Sequence, residues 1–302
     1  MKRILKRILP ETLVDRIRHS GPFTRKVARR YARSSKRLDI CAAQLAHYLH
    51  LSNHPPLADK VCLEIGSGWV LSHAVVCYLL GARRVIATDI FPYARPQALY
   101  RAVHDSIVYL PRDILSPFAD HSLIRKRFDH LLSIRHFSFE ALSRLGIDYV
   151  APIDFAKVAL HLPVDFIYSI SAFEHLPCAD IPAVLRNLVV NLRPGGTMIH
   201  CIHLEDHKDS LNDPFAFLSI PSDQYPRTQQ TLRGNRTRSN RWRQLFGALE
   251  NTESTFLYEW TRNDRDLPAR IDPSVLNSGE ADLRVSHIGI YTTKSPAGRM
   301  QP

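Results

Sequence analysis

The sequence predicts an α/β fold in which a mostly parallel sheet of seven strands carries helices on both faces and ends in an antiparallel strand. Apolar strand-like runs alternate with helix-like segments, an order typical of parallel strands joined by crossover helices. Residues 61–89 form one such β-α-β unit, because an apolar run, a glycine-bearing turn and a helix-like segment precede a second apolar run. The two β-rich runs TFLYEWTR and LRVSHIGIYTTK then suit an antiparallel pair that completes the sheet.

The order of these segments also predicts how the chain is divided. Five core strands are expected at residues 60–65, 84–89, 149–154, 166–171 and 196–203. We expect a core domain at residues 57–302 and a basic helical arm and lid at residues 1–56. Two insertions are predicted in the core domain, two or three helices at about residues 96–146 and an excursion over the active face at about 205–240. One further helix is expected at residues 241–249.

The net charge of the chain, +11, is carried by its first 37 residues. This arm holds thirteen Lys or Arg and two acids, so the remainder is neutral overall. Apolar residues at roughly helical spacing lie between the cations, interrupted by Pro10: Ile4, Leu5, Ile8, Leu9, Leu13 and Ile17. Such a segment can lie in an anionic membrane interface, dock on its own domain or contact nucleic acid. The neutral body makes nucleic acid the least favoured partner.

A second helical segment is predicted from about residue 24 to residue 51, with an apolar stripe that covers the mouth of the core: Leu38, Cys41, Ala42, Leu45 and Leu49. No run approaches the roughly 18 apolar residues of a membrane-spanning helix, and charges interrupt the apolar residues of the N-terminus, unlike those of a signal peptide. The five cysteines are scattered without a CxxC pair. This indicates a reducing, cytoplasmic setting without disulfides or structural zinc.

The pattern EIGSGW at residues 64–69 marks a place where a ligand can approach the backbone closely. Glycine has no Cβ, so a strand that ends here and feeds a helix can present backbone N–H groups. The dinucleotide fingerprint needs a glycine where Leu71 stands, which argues against a pyrophosphate. Glu64 instead suits a ligand with a positive ammonium and sulfonium. Asp89, 21 residues after Gly68, is placed to accept both hydroxyls of a ribose, the alternatives being a helix N-cap or a solvated acid.

Over about residues 57–203 the chain resembles the class I S-adenosylmethionine-dependent methyltransferases, with motifs in the same order. EIGSG resembles the first motif of that family, although its frequent third glycine is Val70 here, and Asp89 stands at its ribose-binding acid. VDFIYSISAFEHLP is similar to the fourth-strand motif of the small-molecule branch, and LRPGGTMIH to the turn into the fifth strand. The region after residue 203 is similar, more weakly, to bacterial methyltransferases of surface-polysaccharide and lipid-linked glycan pathways.

This resemblance implies a Rossmann-like sheet, S-adenosylmethionine as the cofactor, and methylation of an oxygen on a small or glycan- or lipid-linked acceptor. An acid at the end of the third strand often meets the adenine in this family, and Asp154 stands there. The expected cofactor-binding residues are Glu64, Gly66, Ser67, Gly68, Trp69, Asp89, Ile90, Asp154, Phe155 and Ser171. Two alternatives stay open, an RNA methyltransferase that uses the basic arm and a non-catalytic scaffold that binds the cofactor.

The segment SISAFEH narrows the chemistry that the resemblance implies. It holds neither the Asp/Asn-Pro-Pro-aromatic motif of N-methyltransferases nor the cysteine of RNA cytosine-C5 enzymes. Some O-methyltransferases of similar sequence bind a divalent metal through Glu-x-x-Glu-His, but Ser171 replaces the first acid here, so no metal is expected.

Removing a proton from a hydroxyl acceptor needs a base, and imidazole titrates near neutral pH. His175 and His203 are the candidate catalytic bases, since both follow predicted strands, and His207 lies close behind. The alternatives are a helix cap for His175 and a surface position for His207. An arginine cluster further on is either an anion-binding site or a solvated face: Arg233, Arg236, Arg238, Arg241 and Arg243.

Overall fold

The computed structural model describes residue 26 and residues 37–105, 112–276 and 279–296. Within them seven strands form one sheet in the order β3-β2-β1-β4-β5-β7-β6. The strands are Val61–Ile65 (β1), Arg84–Thr88 (β2), Ile147–Val150 (β3), Val164–Ile170 (β4), Leu192–His203 (β5), Thr252–Thr261 (β6) and Val285–Lys294 (β7). Strands β1 to β5 pair in parallel, and β7 is antiparallel to both β5 and β6. The predicted seven-stranded, mostly parallel sheet is confirmed.

Helices pack on both faces of this sheet, as predicted. They are Arg37–Leu51 (α1), Ser72–Leu79 (α2), Pro96–Asp105 (α3), Arg112–Leu115 (α4), His121–Ser133 (α5), Phe139–Arg144 (α6), Ile181–Asn191 (α7), Arg227–Arg233 (α8), Ser239–Gly247 (α9), Pro273–Leu276 (α10) and Gly279–Leu283 (α11). Successive side chains of β1 point to opposite faces of the sheet and therefore belong to two cores. Cys62 packs with the helices α1 and α2, whereas Leu63 packs with α7 and α9. A third, smaller core lies under residues 215–225.

The stripe of α1 is buried in the first core, as its spacing predicts: Leu38, Cys41, Ala42, Leu45 and Leu49 are each at most 1% exposed. Burial of one such leucine contributes roughly 1.5–3 kcal/mol, which explains why this helix packs on the sheet. The amphipathic arm predicted at residues 1–18 lies outside the described residues. Among the helices that are described, none is long and apolar enough to cross a membrane.

Several predicted boundaries are wrong. The third strand is Ile147–Val150 rather than 149–154, because Pro152 has no N–H to continue the ladder with β2. Four helices, not two or three, occupy residues 96–144 outside the undescribed gap, and two of them begin at caps, where Asp120 and Ser138 accept backbone N–H groups. The helix expected at residues 241–249 begins two residues earlier.

Candidate functional site

The turn after β1 contains two glycines in the left-handed region, with φ of 78° at Gly66 and 64° at Gly68. A Cβ on Gly66 would lie 2.6 Å from the Cβ of Ala172, which follows β4, so only glycine fits there. A Cβ on Gly68 would meet nothing within 4 Å. One glycine therefore lets two strand ends pack together, and the other borders open space that a ligand can enter.

Glu64 lies inside β1 and is 3% exposed. Its Oε1 is 3.7 Å from Nδ1 of His73, in the first turn of α2. Nε2 of His73 in turn lies 3.2 Å from Oε1 of Gln44 on α1. Helix α1 thus adds a second layer behind the acid of the glycine turn, an arrangement that the sequence pattern does not reveal.

Asp89 directly follows β2 and faces the glycine turn. Its Oδ2 accepts a hydrogen bond from the backbone N–H of Gly68 at 2.9 Å, and its Oδ1 accepts one from Phe91 at 3.0 Å. Burial raises the pKa of this carboxyl group above its ordinary value, and the backbone hydrogen bonds oppose that shift. The next helix begins at Pro96, so Asp89 is not a helix N-cap. Its carboxylate instead joins the ends of β1 and β2.

Aromatic and apolar side chains surround Asp89. The rings of Trp69 and Tyr93 stack with centroids 4.3 Å apart and an interplanar angle of 13°. Ile90 and Phe91 are 48% and 42% exposed, although both are large and apolar. Ser67 donates its hydroxyl to the carbonyl of Thr88 and so holds the turn against β2. The exposed faces here are suited to contact with a flat, apolar group such as a nucleobase.

The loop after β3 lies beside Asp89, because the backbone N–H of Ile153 donates to the Asp89 carbonyl at 2.9 Å. Asp154 follows in this loop, where its carboxylate accepts from the N–H of Ala156 and pairs with Lys157 at 3.0 Å. Asp154 therefore lies in the loop after β3 rather than at the end of the strand, because β3 ends at Val150.

Two other predicted cofactor residues take different positions. Phe155 is 5% exposed and packs in the core of the second face. Ser171 ends β4 in the left-handed region, with φ of 55°, and its N–H donates to the carbonyl of Cys201. Ser171 therefore lies at the same edge of the sheet as the glycine turn, while the Phe155 side chain is directed into the core.

After β4 the chain forms a 3-10 turn, Phe173–His175, which residues 225–237 hold in place. The N–H of Asn235 donates to the carbonyl of Glu174 at 2.8 Å, and its side-chain amide donates to the carbonyls of Phe173 and Leu176. Nδ1 of His175 lies 2.9 Å from the carbonyl of Thr231. The predicted excursion therefore covers the end of β4.

Glu174 is 1% exposed, and burial raises the pKa of its carboxyl group to about 8. The backbone N–H groups of Glu174 and His203 oppose this shift, but neither carboxylate oxygen has a donor in hydrogen-bonding geometry among the described residues. His207 brings its Nε2 to 3.8 Å from Oε1 of Glu174. Burial lowers the pKa of both His203 and His207 to about 4, so both imidazoles are neutral at pH 7.

Histidine rings follow one another along this side of the site. His175 lies 4.6 Å from His207 between ring centroids, His207 5.9 Å from His203, and His203 4.2 Å from His287 on β7. Glu174, His175 and His207 each offer one ligand atom, and these atoms lie within 4.8 Å of one another. Glu174 and His175 are neighbours in the SISAFEH segment, but the sequence does not predict that His207 joins them. The position of His207, four residues after His203, was the only signal.

The arginine cluster is not a uniformly solvated face, because most of its members are engaged within the protein. Arg233 pairs with Asp206 and Arg243 with Glu259. Arg236 donates to the carbonyls of Phe217 and Ile220. Arg238 is 1% exposed and donates to the backbone carbonyls of Leu204, Asp282, Leu283 and Val285. Arg241 and Arg243 both lie on the exposed face of α9, and of these two Arg243 is paired with an acid.

Two cavities lie away from these strand ends. One, of about 540 Å³, is at the opposite edge of the sheet between Arg84, Gly146 and Arg193. The other, of about 480 Å³, lies beside α8 and α9 and is lined by polar side chains that include Tyr225 and Asn240. Neither is lined by a predicted cofactor-binding or catalytic residue, although Arg236, Arg238 and Arg241 of the arginine cluster line the second.

The carboxyl ends of β1, β2 and β4 thus meet at one edge of a sheet with the order β3-β2-β1-β4-β5-β7-β6 and an antiparallel β7. The chain has the class I S-adenosylmethionine-dependent methyltransferase fold. In such sheets ligands bind outside the carboxyl ends of the strands, which is where the glycine turn, Asp89 and Glu174 lie.

No protein-family model matches the sequence, and no curated protein is similar to it. Solved structures are similar at low sequence identity. An S-adenosylmethionine-dependent methyltransferase from Mesorhizobium loti is 15% identical with a TM-score of 0.44, over 82% of this chain and 98% of that one. An O-methyltransferase family protein from Burkholderia thailandensis is 8% identical with a TM-score of 0.48, over 94% of this chain and 63% of that one.

Proposed function

We propose that this protein is an S-adenosylmethionine-dependent methyltransferase that methylates an oxygen of a small or glycan- or lipid-linked acceptor. The observation that carries the proposal is the joined pair of strand ends, in which the backbone of Gly68 binds the carboxylate of Asp89 beside the buried Glu64. Two acids around an open glycine turn suit a nucleoside with a cationic side chain better than they suit a dinucleotide.

Each residue of the turn has a role in this proposal. Asp89 accepts the ribose hydroxyls through the carboxylate lone pairs that its backbone donors leave unused. Glu64 stabilises the positive end of the cofactor, while Ile90 and Trp69 contact its base. Asp154, on the adjoining loop, meets the polar edge of the adenine, and Ser171 borders the site from β4. Phe155 packs in the core behind the loop that carries Asp154.

The cofactor supplies an activated methyl group, so the chain has to align an acceptor oxygen and remove its proton. His203 and His175 are the candidate bases. Burial keeps His203 neutral, because the pKa of its imidazole falls to about 4. His175 is fixed by the Thr231 carbonyl, which accepts its Nδ1–H and leaves the lone pair on Nε2. His175 follows the carboxyl end of β4 and His203 ends β5.

Isothermal titration calorimetry with S-adenosylhomocysteine tests the cofactor assignment. We expect the wild-type chain to bind one molecule and Asp89→Ala to bind at least tenfold more weakly, because hydrogen bonds to a charged group contribute about 1.5–3 kcal/mol. Asp129→Ala serves as the matched control, since that acid lies on the exposed face of α5. Absence of binding heat in the wild-type protein would refute the proposal.

The acceptor is identified by transfer of labelled methyl groups into fractionated cell extract. Label in the lipid or glycan fraction supports the proposal, and label in RNA would replace it with an RNA methyltransferase. Cofactor binding without transfer to any fraction would favour the scaffold alternative. Asp89→Ala separates an enzyme from a scaffold. An enzyme that cannot bind the cofactor loses its cellular role, whereas a scaffold retains that role.

We further propose that residues 1–37 hold the enzyme on an anionic membrane at its cytoplasmic side. The support is the sequence alone, in which residues 1–37 hold thirteen cations and the cations of residues 1–18 lie between apolar residues. Deletion of residues 1–19 should release the protein from liposomes of anionic lipid in a flotation assay. Flotation that is unchanged by the deletion would instead favour an arm that docks on its own domain.

A further inference from the structure

Three side chains that could ligate a cation converge beside the cofactor edge of the sheet. Glu174 and His175 come from the turn after β4, and His207 comes from the loop after β5. Their ligand atoms lie within 4.8 Å of one another, and Nε2 of His207 is 3.8 Å from Oε1 of Glu174. Two ligands of one metal ion are typically about 3–3.4 Å apart, given metal–ligand distances of about 2.1 Å. Small rotations of the side chains would close the difference.

The environment of the Glu174 carboxylate indicates that a cation binds here. It is 1% exposed, and both of its oxygens are without a hydrogen-bond partner among the described residues. Burial of an acid without donors is costly, and natural proteins usually compensate for it. The groups whose ligand atoms lie near it are the imidazoles of His175 and His207, which can offer lone pairs. A cation shared by the three side chains would supply the missing partner.

The surroundings of the two histidines are those of metal ligands. The carbonyl of Thr231 can only accept a hydrogen bond, so Nδ1 of His175 carries the hydrogen and Nε2 presents its lone pair. Ligating histidines commonly donate their other ring N–H to a carbonyl in this way, which fixes the tautomer and the ring orientation. The backbone N–H of His207 donates to the carbonyl of Arg233, whose side chain pairs with Asp206 next to His207. Both ligands are therefore held in place by the excursion after β5.

We infer that Glu174, His175 and His207 bind a divalent transition-metal cation. Two imidazoles and one carboxylate suit Zn²⁺, Co²⁺, Mn²⁺ or Fe²⁺, whereas Mg²⁺ and Ca²⁺ prefer oxygen ligands throughout. Ser171, which lies at the end of β4 three residues before Glu174, has no carboxylate to make the site oxygen-rich. Three protein ligands leave positions open for an exogenous oxygen. This inference differs from the expectation from the sequence that no metal is bound.

The location of the cation gives it a role that rests on the proposed methyl transfer. Ala172, two residues before Glu174, is the residue that packs against Gly66 of the cofactor turn. His207 is 26% exposed at its side chain, so the cluster is open to solvent on one side. An acceptor hydroxyl bound at an open position would lose its proton more readily. His203 would then be the base, because the cation would occupy the Nε2 lone pair of His175.

Cobalt titration tests the site without reference to methyl transfer. The full-length protein is dialysed against a chelator and titrated with Co²⁺ alone, and the visible d–d absorption is followed. We expect one Co²⁺ per chain, with Zn²⁺ displacing it. Glu174→Gln and His207→Ala should each weaken binding at least tenfold, because each removes one of three ligands. His136→Ala, at an exposed histidine far along the chain, is the control for adventitious binding and should match the wild type.

Two results would overturn the inference. One is a wild-type protein that binds no Co²⁺ at micromolar concentration, and the other is equal binding by wild type, Glu174→Gln and His207→Ala. If the buried Glu174→Gln variant melts without a cooperative transition, His207→Ala decides alone, since His207 is partly exposed. Calorimetry with S-adenosylhomocysteine on the same samples reports cofactor binding separately, so loss of the metal site and loss of the cofactor site are distinguished.

Discussion

The backbone N–H of Gly68 donates a hydrogen bond to Oδ2 of Asp89 at 2.9 Å, and so the protein joins β1 to β2 without a ligand. The same carboxylate accepts from Phe91 through its other oxygen. Each oxygen has a second lone pair, which is the capacity that two ribose hydroxyls require. The structural and the proposed ligand-binding roles of Asp89 thus depend on the same two atoms.

Asp89→Asn should separate these roles. An asparagine retains one acceptor oxygen, so its amide nitrogen must face a backbone donor, and we expect a loss of about 1–2 kcal/mol in the free energy of unfolding. The stabilisation by saturating S-adenosylhomocysteine in a thermal melt should fall at the same time, because ligand-linked stability depends on affinity. Asp129→Asn is the matched control. A variant that the ligand stabilises as strongly as the wild type would contradict the role of Asp89.

The two glycines of the turn should respond differently to alanine. Gly66→Ala adds a Cβ 2.6 Å from the Cβ of Ala172 and strains a φ of 78°, whereas Gly68→Ala strains its φ of 64° alone. We expect a loss of about 1–2 kcal/mol for Gly68→Ala and at least 1 kcal/mol more for Gly66→Ala, measured by urea unfolding. Adding Ala172→Gly to Gly66→Ala should recover the steric part. Equal losses for both single variants would show that the packing against Ala172 does not matter.

The sequence was most informative where a local pattern determines the structure. The stripe of α1, the strands that precede the two acids and the glycine turn all follow from spacing or from backbone freedom, which depend on neighbours in the chain. The third strand was placed too late because its apolar run continues past Val150, and only the pairing with β2 shows where the ladder ends. Its boundary is set by Pro152 and by a partner strand, not by hydrophobicity.

The arginine cluster and the histidine cluster show the limit of such patterns. The residues from Arg233 to Arg243 include five arginines, yet their environments differ. Arg238 is buried among carbonyls, whereas Arg241 is exposed. The three carbonyls from residues 282–285 that Arg238 binds lie far along the sequence, so no local signal predicts its burial. Glu174 and His207 meet for the same reason, since separate strands deliver them to one edge. Contacts between residues so far apart in the sequence are not predicted by local patterns.

His54 should make the protein less stable in acid. Its Nδ1–H donates to the carbonyl of Pro55, and its Nε2 lies 2.8 Å from the hydroxyl of Thr197. Burial, with a smaller contribution from Lys60, lowers the pKa of this imidazole to about 4, against about 6.5 in the unfolded chain. The unfolded state therefore binds more protons between these values. Stability from the neutral ring is present above pH 6.5 and is lost as the pH falls toward 4.

We expect His54 to contribute about 2–3 kcal/mol to the fall in unfolding free energy between pH 7.5 and pH 4.5. His54→Gln cannot titrate but can still bond to Thr197, so its loss over the same range should be smaller by that amount. Urea unfolding at the two pH values provides the measurement, and the exposed His136→Gln is the control. The assignment is wrong if His54→Gln and the wild type lose the same free energy on acidification.

Arg238 should be one of the most important single side chains for the stability of the fold. Burial lowers the pKa of its guanidinium to about 10, so the side chain stays charged at neutral pH. It donates to four backbone carbonyls, which connect the end of β5 to the start of β7.

Arg238→Met keeps most of the volume but leaves those carbonyls unpaired. We expect a loss of about 3–5 kcal/mol in urea unfolding, with a smaller loss for Arg238→Lys, which retains the charge and some donors. Arg241→Met, on the exposed face of α9, the helix that begins after Arg238, should change stability by less than about 0.5 kcal/mol. Similar losses for Arg238→Met and Arg241→Met would mean that the carbonyl contacts contribute little, and that the two strands are held by their ladder alone.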